Sequence, residues 1–244
     1  MIQVSRGHTL VLSFTFLALL VGCTSNDRPE PLSQVNITPP AETPPQNNVN
    51  IANPSLIVAN NQEVSPGDRL SLVWADEFDG EQLDPGTWFF EEGDGSQYGI
   101  PGWGNNELQY YLPDNAQVAD GLLTIEARAE TNGPFNYSSA RINTRDRFAF
   151  RYGRIEARMR LPGGQGIWPA FWLLGSNFES VGWPNCGEID ILEYRGQEPS
   201  VVHGSLHGPG YSGGNAITGR YTLPRGQFDD DFHVFAVEWQ SNRI

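Results

Sequence analysis

Arg154-Ile155-Glu156-Ala157-Arg158-Met159-Arg160-Leu161, closed by Pro162-Gly163-Gly164, is the stretch that decides the fold. Ile155, Ala157, Met159 and Leu161 alternate with Glu156, Arg158 and Arg160, the period of two that gives a strand one buried and one wet face, and the Pro-Gly-Gly run ends it. The same alternation recurs where Leu123, Ile125 and Ala127 interleave with Thr124, Glu126 and Arg128, and again where Phe235, Val237 and Trp239 interleave with Val234, Ala236 and Glu238. No stretch sustains an apolar period of 3.6, and no repeat of fixed length is present. Short strands separated by Gly, Pro, Asn and Asp predict an all-β sandwich, since two stacked sheets offer one open face to a long ligand.

Outward from that region the texture changes. Arg6 followed by the apolar run Leu10 to Val21 reads as an export signal too short to span a bilayer comfortably, so residues 1–23 are expected to be a leader. Its end, Leu20-Val21-Gly22-Cys23, resembles a bacterial lipobox, which implies lipidation at Cys23, a lipid anchor at the cell envelope and, with Thr24 next, the outer membrane. Residues 24–67 are rich in Pro, Asn, Ser and Gln and are expected to form a disordered tether. Residues 68–244 then make the folded domain. A formal net charge of -14 disfavours nucleic acid, because neutralising phosphates takes clustered Lys and Arg. If Cys23 carries lipid, Cys186 has no partner, so a disulfide is excluded and a small side chain flanking the site is the reading for Cys186.

Three carboxylates fall within six residues in Glu188-Ile189-Asp190-Ile191-Leu192-Glu193. In a regular strand Glu188 and Asp190 share a face and Glu193, five positions on, points the other way. An extra residue at Ile191-Leu192, a β-bulge, returns Glu193 to the face of the other two, and bulges recur beside active sites. Carboxyl groups so placed suit glycoside hydrolysis, which needs one as nucleophile or base and another as proton donor. A charged solvent face is the competing reading, and the surroundings weigh against it. Trp168 and Trp172 share a strand face at a spacing of four, and seven tryptophans, several beside Gly and Pro, suit the flat faces of sugar rings. Gly102-Trp103-Gly104-Asn105-Asn106-Glu107 reads as a loop, with Trp103 as a stacking platform in one of two readings. Asn105 and Asn106 are either hydroxyl partners or turn formers. His203 and His207 lie about 13 Å apart in a strand, too far for one zinc, which leaves His207 as a hydrogen-bond partner of the acids or an ordinary sheet histidine.

Gly187-Glu188-Ile189-Asp190-Ile191-Leu192-Glu193-Tyr194, Gly166-Ile167-Trp168-Pro169-Ala170-Phe171-Trp172 and Gly104-Asn105-Asn106-Glu107-Leu108-Gln109-Tyr110-Tyr111 together resemble glycoside hydrolase family 16, its laminarinase-like branch, from about Leu70 to Ile244. The resemblance implies a concanavalin A-like jelly-roll sandwich with a concave cleft and retaining endo-hydrolysis of β-1,3-glucan. It implies Glu188 as nucleophile, Glu193 as general acid/base and Asp190 as the assisting carboxylate, with Trp103, Arg141, Trp168, Trp172 and His207 lining the cleft. No cofactor is implied, but many family members carry a structural calcium, for which Glu77 and the Gly121 carbonyl match ligand positions while the family's C-terminal acidic ligand has no counterpart in this sequence. The alternatives are a hydrolase of mixed β-1,3-1,4-glucan or of agarose or carrageenan, a transglycosylase, or a noncatalytic glycan-binding lipoprotein. A monomer is expected. Family domains continue for several strands past Phe232 to Trp239, so the sequence is expected to be C-terminally incomplete.

Overall fold

The computed structural model describes residues 2–5, 10–18, 57–58 and 72–244. Its strands, in chain order, begin with β1 (Ile2–Ser5), β2 (Leu10–Ala18), β3 (Ile57–Val58), β4 (Leu72–Asp76), β5 (Phe89–Phe90) and β6 (Gln109–Tyr111). They continue with β7 (Ala116–Ala119), β8 (Leu122–Ile125), β9 (Tyr137–Ser139), β10 (Arg141–Asn143), β11 (Phe148–Ala149) and β12 (Gly153–Met159). The last are β13 (Ile167–Gly175), β14 (Glu188–Tyr194), β15 (Val201–His207), β16 (Ile217–Thr222) and β17 (His233–Trp239). The one α-helix among the described residues, α1 (Phe178–Val181), is a single turn before β14.

Two sheets carry the fold. A seven-stranded sheet runs β16-β15-β14-β13-β2-β10-β5, and a four-stranded sheet runs β17-β12-β1-β4. Two-stranded ribbons pair β11 with β3, β6 with β9 and β7 with β8. The architecture is a jelly-roll sandwich: the alternating pattern predicts the sandwich, and the family resemblance implies the jelly roll. In β12, Ile155 and Ala157 are fully buried while Arg154 and Glu156 face outward and pair with each other at 2.7 Å. The strand stops at Met159, and Leu161 still packs into the core beyond it.

The inner faces meet in one apolar cluster. Phe171 and Leu173 of β13, Ile189, Leu192 and Tyr194 of β14 and Ile142 of β10 join Ile155, Ala157 and Phe235 from the facing sheet. Aromatic rings tie its ends: Trp74 stacks on Phe148 with centroids 5.0 Å apart, and Phe228 packs against Phe235 at 5.5 Å. Burying such side chains contributes roughly 1.5–3 kcal/mol each, which makes the cluster the main source of stability and the rigid base for residues on the opposite side of the same strands.

The segment read as a leader supplies two strands. β2 lies between β13 and β10, in register with β13 from Ile167 opposite Ala18 to Gly175 opposite Leu10, and β1 lies between β12 and β4. A short uncharged apolar run meets the needs of a sheet's central strand as well as those of an export signal, and the hydrophobic pattern alone does not separate them. β3 falls inside the span expected to be a tether. Cys23 and the remainder of that span lie outside the described residues.

Candidate active site

The bulge expected from the spacing of the acids is present. On β13, Trp172 lies opposite Asp190 and Ala170 opposite Glu193, three residues against four, and the register shifts between Phe171 and Trp172. On β15 the same mismatch falls between Ser205 opposite Asp190 and His203 opposite Glu193. Ile191 and Leu192 therefore share one pleat position. Ile189, Leu192 and Tyr194 enter the core, and Glu188, Asp190 and Glu193 emerge together on the other face.

The loop before β14 and the neighbouring strand β15 give each acid a partner. Trp183 Nε1 donates to Glu188 Oε2 at 2.7 Å. Ser205 Oγ donates to Glu193 Oε2 at 3.1 Å and lies 3.1 Å from Thr218 Oγ1 on β16. His207 Nε2 lies 3.1 Å from Asp190 Oδ2, yet that oxygen is buried without an aligned hydrogen bond. The contact is close but off-line, so it leaves an acceptor direction of Asp190 open. The ligand atoms of Glu188, Asp190 and His207 all lie within 4.8 Å of one another, which resembles a metal triad. However, the Gly213 N–H donates to His207 Nδ1 at 3.2 Å, so the ring proton sits on Nε2, facing Asp190. An imidazole in that tautomer has no lone pair to give a metal there.

Crowding sets the protonation of the cluster. Burial, then the charge of Asp190, pushes Glu188 up to about 8, against the opposing pull of His207 and the Trp183 N–H. Burial, then the charge of Glu193, pushes Asp190 up to about 8 as well. Glu188 and Asp190 therefore keep a proton between them near neutral pH.

Trp168, Ala170, Trp172 and Leu174 alternate with the buried residues of β13 and so share the face of the acids. Arg141, from β10, is clamped between two rings: its Cζ lies 4.5 Å from the Trp103 centroid and 4.9 Å from that of Trp172. Its Nε also pairs with Glu91 Oε2. Trp103 is only 6% exposed, held by its Nε1–H on the Gly93 carbonyl at 3.1 Å, so it supports Arg141 and presents no open ring face. Asn105 and Asn106 are exposed; Asn106 takes the left-handed φ of 58° expected of a turn former, while Asn105 Nδ2 donates to Glu107 Oε1 at 3.2 Å. Glu107 is buried and also accepts from Tyr111 Oη at 2.7 Å and Gln109 Nε2 at 2.8 Å, with burial raising its pKa against the pull of Arg141.

His203 faces Glu193 across the strands but meets Arg195 Nη2 at 3.0 Å rather than His207. Glu77 follows β4 and Gly121 sits in the β7–β8 turn, both outside the seven-stranded sheet. Calcium takes six to eight oxygens, and Glu77 joins no group of three acidic, His or Cys side chains among the described residues, so these two positions alone fall short of a calcium site. Sequence reasoning assigned no role to Trp183, Ser205, Thr218, Glu91 or Glu107. Trp183 alone carried a signal, a tryptophan between Gly and Pro just ahead of the acids.

Residues 104–244 match the model of glycosyl hydrolases family 16. The chain belongs to that family. Among family 16 relatives, a β-glucanase of Rhodothermus marinus is 44% identical over 198 residues, covering 78% of this chain and 66% of its own. The solved endo-β-1,3-glucanase from Pyrococcus furiosus is 51% identical with a TM-score of 0.67, covering 69% of this chain and 67% of that one. The laminarinase catalytic domain from Thermotoga maritima is 51% identical with a TM-score of 0.68, covering 70% of each chain. The chain thus spans two thirds or less of the length of the curated relatives it resembles, from 66% of the Rhodothermus protein down to 25% of a clotting factor G alpha subunit of Tachypleus tridentatus.

Proposed function

We propose that this protein hydrolyses β-1,3-glucan internally, with retention of anomeric configuration. One observation carries the reading: the bulge in β14 sets Glu188 and Glu193 on one face, flanking Asp190, beside the Trp168 and Trp172 rings. A sugar residue lying over Asp190 has a carboxyl group at either side. Glu188 attacks the anomeric carbon as Glu193 gives its proton to the departing glycosidic oxygen; the ester that forms is then cleaved by water, whose proton returns to Glu193. The proton shared by Glu188 and Asp190 must rest on Asp190 for the attack. Ester formation then neutralises Glu188, while burial and the charge of Glu193 keep Asp190 raised.

The substrate class follows the relatives' names, which are those of β-glucanases and endo-1,3-glucanases, and the same acids would serve a mixed-linkage glucan or a galactan. Incubation with laminarin, lichenan, agarose and carrageenan separates these: new reducing ends are expected with laminarin above all. None with any of the four leaves only the glycan-binding reading, while products lengthened by an added acceptor indicate transglycosylation. Two carboxyl groups supply both nucleophile and proton donor, so the reaction calls for no cofactor. Any calcium on Glu77 and the Gly121 carbonyl would act on stability.

Monomeric, exported and tethered by lipid at Cys23 is the state proposed for the cell. Cys23→Ser is expected to move the protein from the membrane fraction to the soluble one; unchanged membrane association argues against the anchor. Cleavage before Cys23 also takes β1 and β2 away, so the mass of the mature protein decides whether those strands persist.

A further inference from the structure

The cycle above leaves one neighbour of the nucleophile without a task. Trp183 stands on the loop between α1 and β14, five residues before the acid it contacts, and its indole has a single donor. That donor goes to Glu188 Oε2 at 2.7 Å although the side chain is 45% exposed and water could take it. Its ring lies 5.8 Å from that of His207, so the indole stands on the acid face, next to the cross-strand neighbour of Glu188.

We infer that Trp183 positions the nucleophile and carries a sugar beside it: the N–H fixes one oxygen of Glu188 and favours its ionised form, while the open ring offers a stacking surface to the glycan. This rests on the hydrolytic reading of Glu188. A carboxylate held by one oxygen swings less, and the attack is sensitive to misplacement of about 1 Å. Around Glu188 the other titratable groups are Asp190 on its own strand, His207 from β15 and Cys186 on the approach to β14; β13 brings Leu174, which has no charge. Trp183 is thus the one neutral donor among groups that titrate, and it supports the anion at every pH. Exposed indole faces are the usual partners of the apolar faces of sugars, and one end stays wet while the other packs.

Two substitutions split the two tasks. Trp183→Phe keeps an aromatic face and loses the donor, so kcat is expected to fall about tenfold with KM close to the parent's. The acid limb of its kcat/KM profile moves to higher pH, because the ionised carboxylate has lost a hydrogen bond. Trp183→Ala is expected to lose the same factor in kcat and to raise KM severalfold. A readout independent of turnover is the Trp183 indole N–H resonance, which follows the ionisation of Glu188 in the parent and becomes insensitive to it in Glu188→Gln. Trp183→Phe with parental kcat and pH profile overturns the positioning role, and Trp183→Ala with a parental KM overturns the stacking role. Should the parent cleave no glycan, the hydrolytic reading fails by itself; the indole titration still shows whether the pairing exists, and a silent resonance overturns it.

Discussion

Glu188→Gln keeps glycan binding and lowers turnover on laminarin by on the order of 10³-fold or more, the scale reached when a covalent nucleophile is removed. Glutamine is close to isosteric, and its carbonyl oxygen can accept the Trp183 N–H as Oε2 does, so the loop and β14 are expected to stay in place. What disappears is the electron pair proposed to attack the anomeric carbon. Glu193→Gln separates the second role: turnover falls steeply on laminarin, whose leaving sugar needs a proton, but formation of the ester survives on an activated aryl glycoside whose leaving group departs as an anion. Initial rates on both substrates, with binding measured calorimetrically, check the pair. Near-parental turnover by Glu188→Gln ends the assignment of Glu188 as nucleophile, and equal losses by Glu193→Gln on both substrates end that of Glu193 as proton donor.

The spacing of the acids was enough to read the site because strand geometry is strict. A five-residue interval contradicts a period of two, and only a bulge reconciles it with three carboxylates on one face. Trp168 and Trp172 were legible by the same rule, since a spacing of four keeps parity. Glu91 was not, because its partner Arg141 is fifty residues away and pairing across that distance leaves no local pattern. Glu107 lay within a quoted motif, but a buried acid needs its donors in view, and Tyr111 and Gln109 reach it only once β6 is formed. Trp103 was left open by the glycine on either side, and only the folded loop packs its ring under Arg141. Leu10 to Ala18 marks the limit of hydrophobic pattern, where one run satisfies two different environments.

Asp190→Asn is expected to stabilise the fold at pH 8 while leaving it almost unchanged near pH 4. Asp190 and Glu188 are raised from ordinary carboxylate values to about 8, so between those limits the native protein binds more protons than the unfolded chain. Stability is then fully present below the unfolded values and is lost as pH rises through the folded ones. Asparagine removes one charge from the crowd, and with it part of the repulsion that raises Glu188. Its amide oxygen can still face His207 Nε2–H, and its NH₂ group can donate to Glu188. At this chain length each kcal/mol recovered shifts Tm by about 2–4 °C, so a gain of several degrees at pH 8 is expected, shrinking as pH falls. The catalytic cost should accompany it: a fixed Asn cannot take the shared proton, so kcat falls even as Tm rises, the usual exchange where like charges are held together for chemistry. Thermal melts of parent and variant at pH 4, 6 and 8 check this. Parallel Tm curves across that range would mean that Glu188 and Asp190 do not titrate as a crowded pair, and the proton proposed to pass between them would have no basis.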